Sequence, residues 1–122
     1  MMSEASPPAV TEPMLLDTRR SEGRAEIDLV VPATLSYFRG HFPGFPVLPG
    51  VVQLHWAIAF GRRSFALGAA PPDTVQVKFR SVIAPDERIC LVLNHDASRR
   101  KLSFEYRDAN AVRSSGVVTF AP

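Results

Sequence analysis

The feature that most limits what this chain can fold into is a single stretch, residues 50–67, GVVQLHWAIAFGRRSFAL. Pro49 and Gly50 mark a helix start and Gly68 supplies a stop. Arg62 and Arg63 fall in the last turns, where cations suit the helix dipole. From Val51 to Phe60 the apolar residues run nearly all the way round, the pattern of a helix that is buried rather than laid on a surface. A lone helix cannot shield itself. The remaining chain has to wrap it, and a curling sheet is the element that can.

The flanking segments read as that sheet. RAEIDLVVP (24–32) alternates Ala25, Ile27, Leu29 and Val31 against Arg24, Glu26, Asp28 and Val30, a half-buried strand ending at Pro32. TVQVKFRSVI (74–83), RICLVLN (88–94), KLSFEYR (101–107) and AVRSSGVVTF (111–120) follow, with a turn at Pro85-Asp86-Glu87 and hairpin loops at 96–100 and 108–111. The fold class is α+β: an antiparallel sheet of about five strands around one helix. Five strands leave part of a sheet face uncovered, which a homodimer would cover. Residues 1–13, small, polar and punctuated by proline, read as a flexible tail before a single domain over 14–122.

Composition closes off several function classes. A formal charge of +2 makes no case for nucleic-acid binding, although a pI near 9.1 leans toward an acidic partner. The single cysteine, Cys90, rules out an internal disulfide and reads as a buried structural thiol suited to a reducing compartment. No run approaches the roughly 18 apolar residues of a membrane span. The N-terminus lacks a basic and then apolar leader pattern, so a cytoplasmic location is expected.

Directly before the helix lies GHFPGFPVLPG (40–50), a histidine in a loop stiffened by Pro43, Pro46 and Pro49. With its surroundings, YFRGHFPGFPVLPGVVQL resembles the hotdog-fold 3-hydroxyacyl-acyl-carrier-protein dehydratases, whose signature is a Gly-His-Phe-Pro loop and then a Pro-Gly pair opening the central helix. VKFRSVIAPDE (77–87) is similar to the family's strand after the helix. The motif match covers about residues 35–60, and the strand order extends it to about residue 120. One position departs: six residues after Pro49 the family carries an acidic side chain, and here stands His55. PGVVQLHWA is nearer to a subgroup linked with aryl-polyene pathways.

The resemblance implies a hotdog fold and a dimer with sites at the subunit interface. It implies a substrate thioester on the phosphopantetheine arm of an acyl carrier protein, with no metal or bound cofactor. The implied reaction is loss of water from a (3R)-3-hydroxyacyl thioester to give a trans-2-enoyl thioester. Such chemistry needs a base for the C2 proton, donors for the charge that builds on the thioester oxygen, and an acid for the departing hydroxyl. His41 is the expected base, histidine having an unperturbed pKa of about 6.5. His55 takes the acid position; the plainer reading is a neutral histidine bonded to a carbonyl on a buried helix. The backbone amides of Gly50 and Val51, with Gly44 from the loop, are the expected oxygen-binding donors, although these glycines equally serve turns.

Phe42, Phe45 and Trp56 are candidate acyl-tunnel residues, with core packing the alternative for each, as for Phe60. Arg39, Arg62, Arg63, Lys78 and Arg80 are candidates for a basic rim that docks an acidic carrier protein, scattered solubilising charge being the alternative. His95, in NHDAS, reads as solvated. Two other functions stay open. One is a hotdog thioesterase, disfavoured because the helix carries no Asp or Glu to activate water. The other is a non-catalytic acyl-binding hotdog subunit, which would need a related hotdog chain as partner.

Overall fold

The computed structural model describes residues 11–35 and 47–122. Its elements are β1 (Met14–Ser21), β2 (Arg24–Val30), α1 (Gly50–Phe65), β3 (Pro72–Phe79), β4 (Arg88–Asp96), β5 (Lys101–Arg107) and β6 (Val112–Phe120). All neighbouring strands pair antiparallel, in the order β1-β2-β4-β5-β6-β3. The helix packs over β4 and β5 at the middle of the sheet.

Strand alternation sets the core. Ala25, Ile27 and Leu29 from β2, Ile89, Leu91 and Leu93 from β4, Leu102, Phe104 and Tyr106 from β5, and Val118 and Phe120 from β6 are all buried. They meet a helix stripe of Val52, Gln53, Trp56, Ala57, Phe60, Gly61 and Ser64. At Gly61 the space a side chain would fill is taken by Leu102, so the helix backbone sits directly on β5. The β1–β2 hairpin turns at Glu22-Gly23, where a φ of +69° suits glycine.

The sheet has six strands, one more than the sequence patterns indicate. The additional strand is β1, all of whose side chains are exposed. Its backbone pairing with β2 holds it in place, and an edge strand with no buried face leaves no period-two signature. The helix also differs from the all-round shielding expected of it. Its stripe faces the sheet, while Val51 is 73% exposed and His55 is exposed on the opposite side. The helix ends at Phe65, with Ala66 in the left-handed region at φ 51°, ψ 49° and the Leu67 amide donating to the Arg62 carbonyl at 3.2 Å.

Three smaller readings change with the third dimension. His95 is a strand residue of β4, stacked on Phe65 with ring centroids 5.3 Å apart, because the strand runs two residues beyond its apolar run. Cys90 is half-buried on the face of the sheet turned away from the helix, since its neighbours Ile89 and Leu91 point inward. Its thiol is pushed up by partial burial and by the Asp28 carboxylate, the reverse of what activates a nucleophile. β3 ends at Phe79, four residues short of the expected 83, although the Arg80 and Ser81 amides still donate to the Arg113 carbonyl of β6 at 2.9 and 3.1 Å.

Candidate functional site at the start of the helix

The site is built on the segment from Leu48 to Gln53. Leu48 is buried, its amide donates to the Ile83 carbonyl at 2.7 Å, and its carbonyl accepts the Gln53 side-chain amide at 3.2 Å. Pro49 then caps the helix with φ −59° and ψ 144° and has no side-chain group to offer. Its carbonyl accepts the amides of Val52 and Gln53 at 3.1 and 3.2 Å. Among the described residues the Gly50 and Val51 amides find no acceptor. No acidic side chain occupies the first turn, so the positive end of the helix dipole is left unneutralised there.

An open cavity of about 370 Å³ lies against this start, lined by Val47, Leu48, Pro49, Gly50, Gln53 and the 79–82 segment. The Phe79 ring, 53% exposed, lies on the Cα side of Gly50 and fills the space a side chain would take. The glycine leaves room for the ring in its present position. Phe79 and Val82, both exposed, make an apolar border to the cavity.

Beneath the cavity floor is a buried polar cluster without counterpart in the sequence reading. Gln53 is 3% exposed. Its side-chain oxygen accepts the Ser114 hydroxyl at 2.7 Å, and its backbone carbonyl accepts the Tyr106 hydroxyl at 2.7 Å. Burial raises the Tyr106 pKa well above the usual phenol range, so it serves as a neutral donor. The signal available in the sequence was Gln53 itself, an amide on the stripe shared with Trp56, Ala57 and Phe60.

The other candidate residues divide sharply. His55 sits one turn after Val51 on the same exposed helix face. Trp56 is 2% exposed, belongs to the core and donates its indole N–H to the Thr11 carbonyl at 3.0 Å; it does not line the cavity. Phe60 is likewise core. His41, Phe42, Gly44, Phe45 and Arg39 lie outside the described residues.

The basic candidates form two groups rather than one rim. Arg62 spans the Phe120 ring at 5.3 Å and donates to the Gly68 carbonyl, and Arg63 lies over Phe60 at 4.6 Å. Both are about 18 Å along the helix from Gly50 at 1.5 Å per residue. Arg80 lines the helix-start cavity, and Lys78 is exposed two residues before it.

A six-stranded antiparallel sheet around one central helix, with the helix start opening on a cavity, is a hotdog fold. The ApeI-like family model, described as ApeI dehydratase, matches residues 17–117, and this chain belongs to that family. It is 30% identical over 99 residues to the 3-hydroxyacyl-[acyl-carrier-protein] dehydratase FabZ of Lawsonia intracellularis, covering 70% of this chain and 64% of that protein. The chain thus spans somewhat under two thirds of the length of that curated relative. A chain of the dehydratase heterocomplex ApeI:P from Xenorhabdus doucetiae superposes with a TM-score of 0.84 at 29% identity, covering 91% of this chain and 99% of that one. An uncharacterized protein from Erwinia carotovora subsp. atroseptica gives 0.76 at 30% identity, with 91% and 97% covered. Among the described residues no helix is long and apolar enough to cross a membrane.

Proposed function

We propose that this chain catalyses dehydration of (3R)-3-hydroxyacyl thioesters carried on acyl carrier protein, giving trans-2-enoyl thioesters for fatty-acid or aryl-polyene synthesis. The observation that carries the reading is the helix start: in a chain of a dehydratase family, the Gly50 and Val51 amides have no acceptor among the described residues, and Gly50 lines an open cavity. In this reading the imidazole of His41 takes the C2 proton. The electrons form the C2–C3 double bond by way of charge on the thioester oxygen, which the Gly50 and Val51 amides receive, with Gly44 a third donor. The C3–O bond breaks, His55 protonates the departing hydroxyl, and water leaves. Phe42 and Phe45 line the acyl path in this proposal, and Arg39, Lys78 and Arg80 meet the acidic carrier protein, so its Michaelis constant rises with salt.

The exposed Val51, His55, Phe79 and Val82, and the edge of β3 that is unpaired among the described residues, support a second subunit at this end of the chain. That subunit is a second copy or a related hotdog chain. The heterocomplex named for the Xenorhabdus structure favours the second. The reading is tested by mass spectrometry of a (3R)-3-hydroxyacyl carrier protein incubated with the chain. Loss of about 18 Da, one water, is expected. Loss of the whole acyl group identifies a thioesterase, and change that requires an added hotdog partner identifies an accessory subunit.

A further inference from the structure

We infer that Gln53 is a positioning residue: it clamps Leu48 and thereby fixes the direction in which the Gly50 and Val51 amides point. The inference rests on the dehydratase reading for its consequence and on geometry for its substance. Helix starts are usually fastened by a Ser, Thr, Asp or Asn side chain on the first amides. Here Pro49 has no such group, and a side chain placed over those amides would occupy the position assigned to the thioester oxygen. Gln53 fastens the start from the other side. Its Nε2 holds the Leu48 carbonyl at 3.2 Å, outside the helix, and leaves the amides of residues 50 and 51 open.

The clamp is itself held from two strands. Ser114 of β6 fixes the side-chain oxygen, which orients the amide plane so that Nε2 faces Leu48. Tyr106 of β5 fixes the Gln53 backbone carbonyl. Leu48 has no slack on its far side, where its amide is bound to Ile83. A buried network with every described polar side-chain atom satisfied holds one arrangement, because each alternative strands a polar atom away from water. The three side chains come from α1, β5 and β6, so the sheet dictates the aim of the helix start.

The test uses the full chain with Gln53→Met, which keeps volume and removes both side-chain bonds, and the milder pair Ser114→Ala and Ser114→Thr. Hydrogen exchange of residues 48–53 is followed alongside kcat and KM on a (3R)-3-hydroxyoctanoyl carrier protein, at a temperature where circular dichroism shows each variant folded. Gln53→Met is expected to speed exchange in that segment selectively and to lower kcat about tenfold or more, with KM changed less than about twofold. Ser114→Ala shifts both readouts in the same direction by less, and Ser114→Thr, which keeps the hydroxyl, restores them. Folded variants with unchanged kcat and unchanged exchange overturn the inference, as does lowered thermal stability with neither change. If Gln53→Met does not fold, the Ser114 pair decides. If the wild-type chain removes no water, the dehydratase reading fails, and the exchange comparison still decides whether Gln53 holds the segment.

Discussion

The Phe79 ring rests on the Cα of Gly50, so the edge strand of the sheet and the first residue of the helix touch where a side chain would otherwise stand. The atoms nearest that space are the far end of a half-exposed ring, which can swing outward. Gly50→Ala is therefore expected to change stability by less than about 1 kcal/mol, the ring movement being offset by the gain in helix propensity. The displaced ring enters the border of the cavity, and turnover falls. Chemical denaturation and steady-state kinetics measured together check this; a large stability loss with normal turnover contradicts it.

His55 separates chemistry from stability because its side chain is exposed. In the isolated chain, His55→Ala is expected to leave the unfolding free energy within about 0.5 kcal/mol of wild type. It should lower kcat about a hundredfold, the usual scale for a lost acid. His55→Glu, which restores the acidic side chain of the resembled family, should retain more activity than alanine. Full turnover in His55→Ala removes this residue from the mechanism.

The acid limb of stability is set in part by Glu87. Its two carboxylate oxygens accept the Arg113 guanidinium at 2.6 and 3.1 Å, and the second also accepts the Ala84 amide at 2.6 Å. The Arg113 bonds, followed by the Ala84 amide, hold its pKa below the ordinary 4.5. Asp108, bonded by the Asn110 and Ala111 amides and then by Arg113, is lowered as well. A carboxyl lowered in the fold binds fewer protons folded than unfolded, so unfolding takes up protons and stability rises with pH. The Glu87 contribution is complete above about pH 5 and is lost as pH falls through 4.5 and below, toward its folded value. Urea midpoints measured from pH 7 to pH 3 should fall less steeply for Glu87→Gln than for wild type. Parallel slopes contradict the assignment.

Ala66 ends the helix in the left-handed region, where a Cβ is strained. Ala66→Gly is expected to stabilise the chain by about 1 kcal/mol, a rise of about 4 °C in Tm for a domain of this size. An unchanged or lower Tm shows that the unfolded-state entropy of glycine outweighs the relief.

Much was legible in single segments because local periodicity is written there. The alternation of Leu102, Phe104 and Tyr106 and of Ile27 and Leu29 placed those side chains inward, as found. The Gly-His-Phe-Pro loop followed by the Pro-Gly pair that opens the helix pointed to the family. The apolar circumference from Val51 to Phe60 carried less information than it suggested, since a helix half wrapped by its own sheet and a helix wrapped all round share that pattern.

What the chain determines residue by residue is therefore the type of each element, the side it turns inward and the motif at the helix start. Tertiary structure alone decided that β1 joins the sheet, that His55 faces outward, that Phe79 covers Gly50 and that Gln53 meets Ser114 across 61 positions of sequence. Periodicity is a property of neighbouring residues, whereas a buried hydrogen bond needs two groups that only the folded sheet brings within reach.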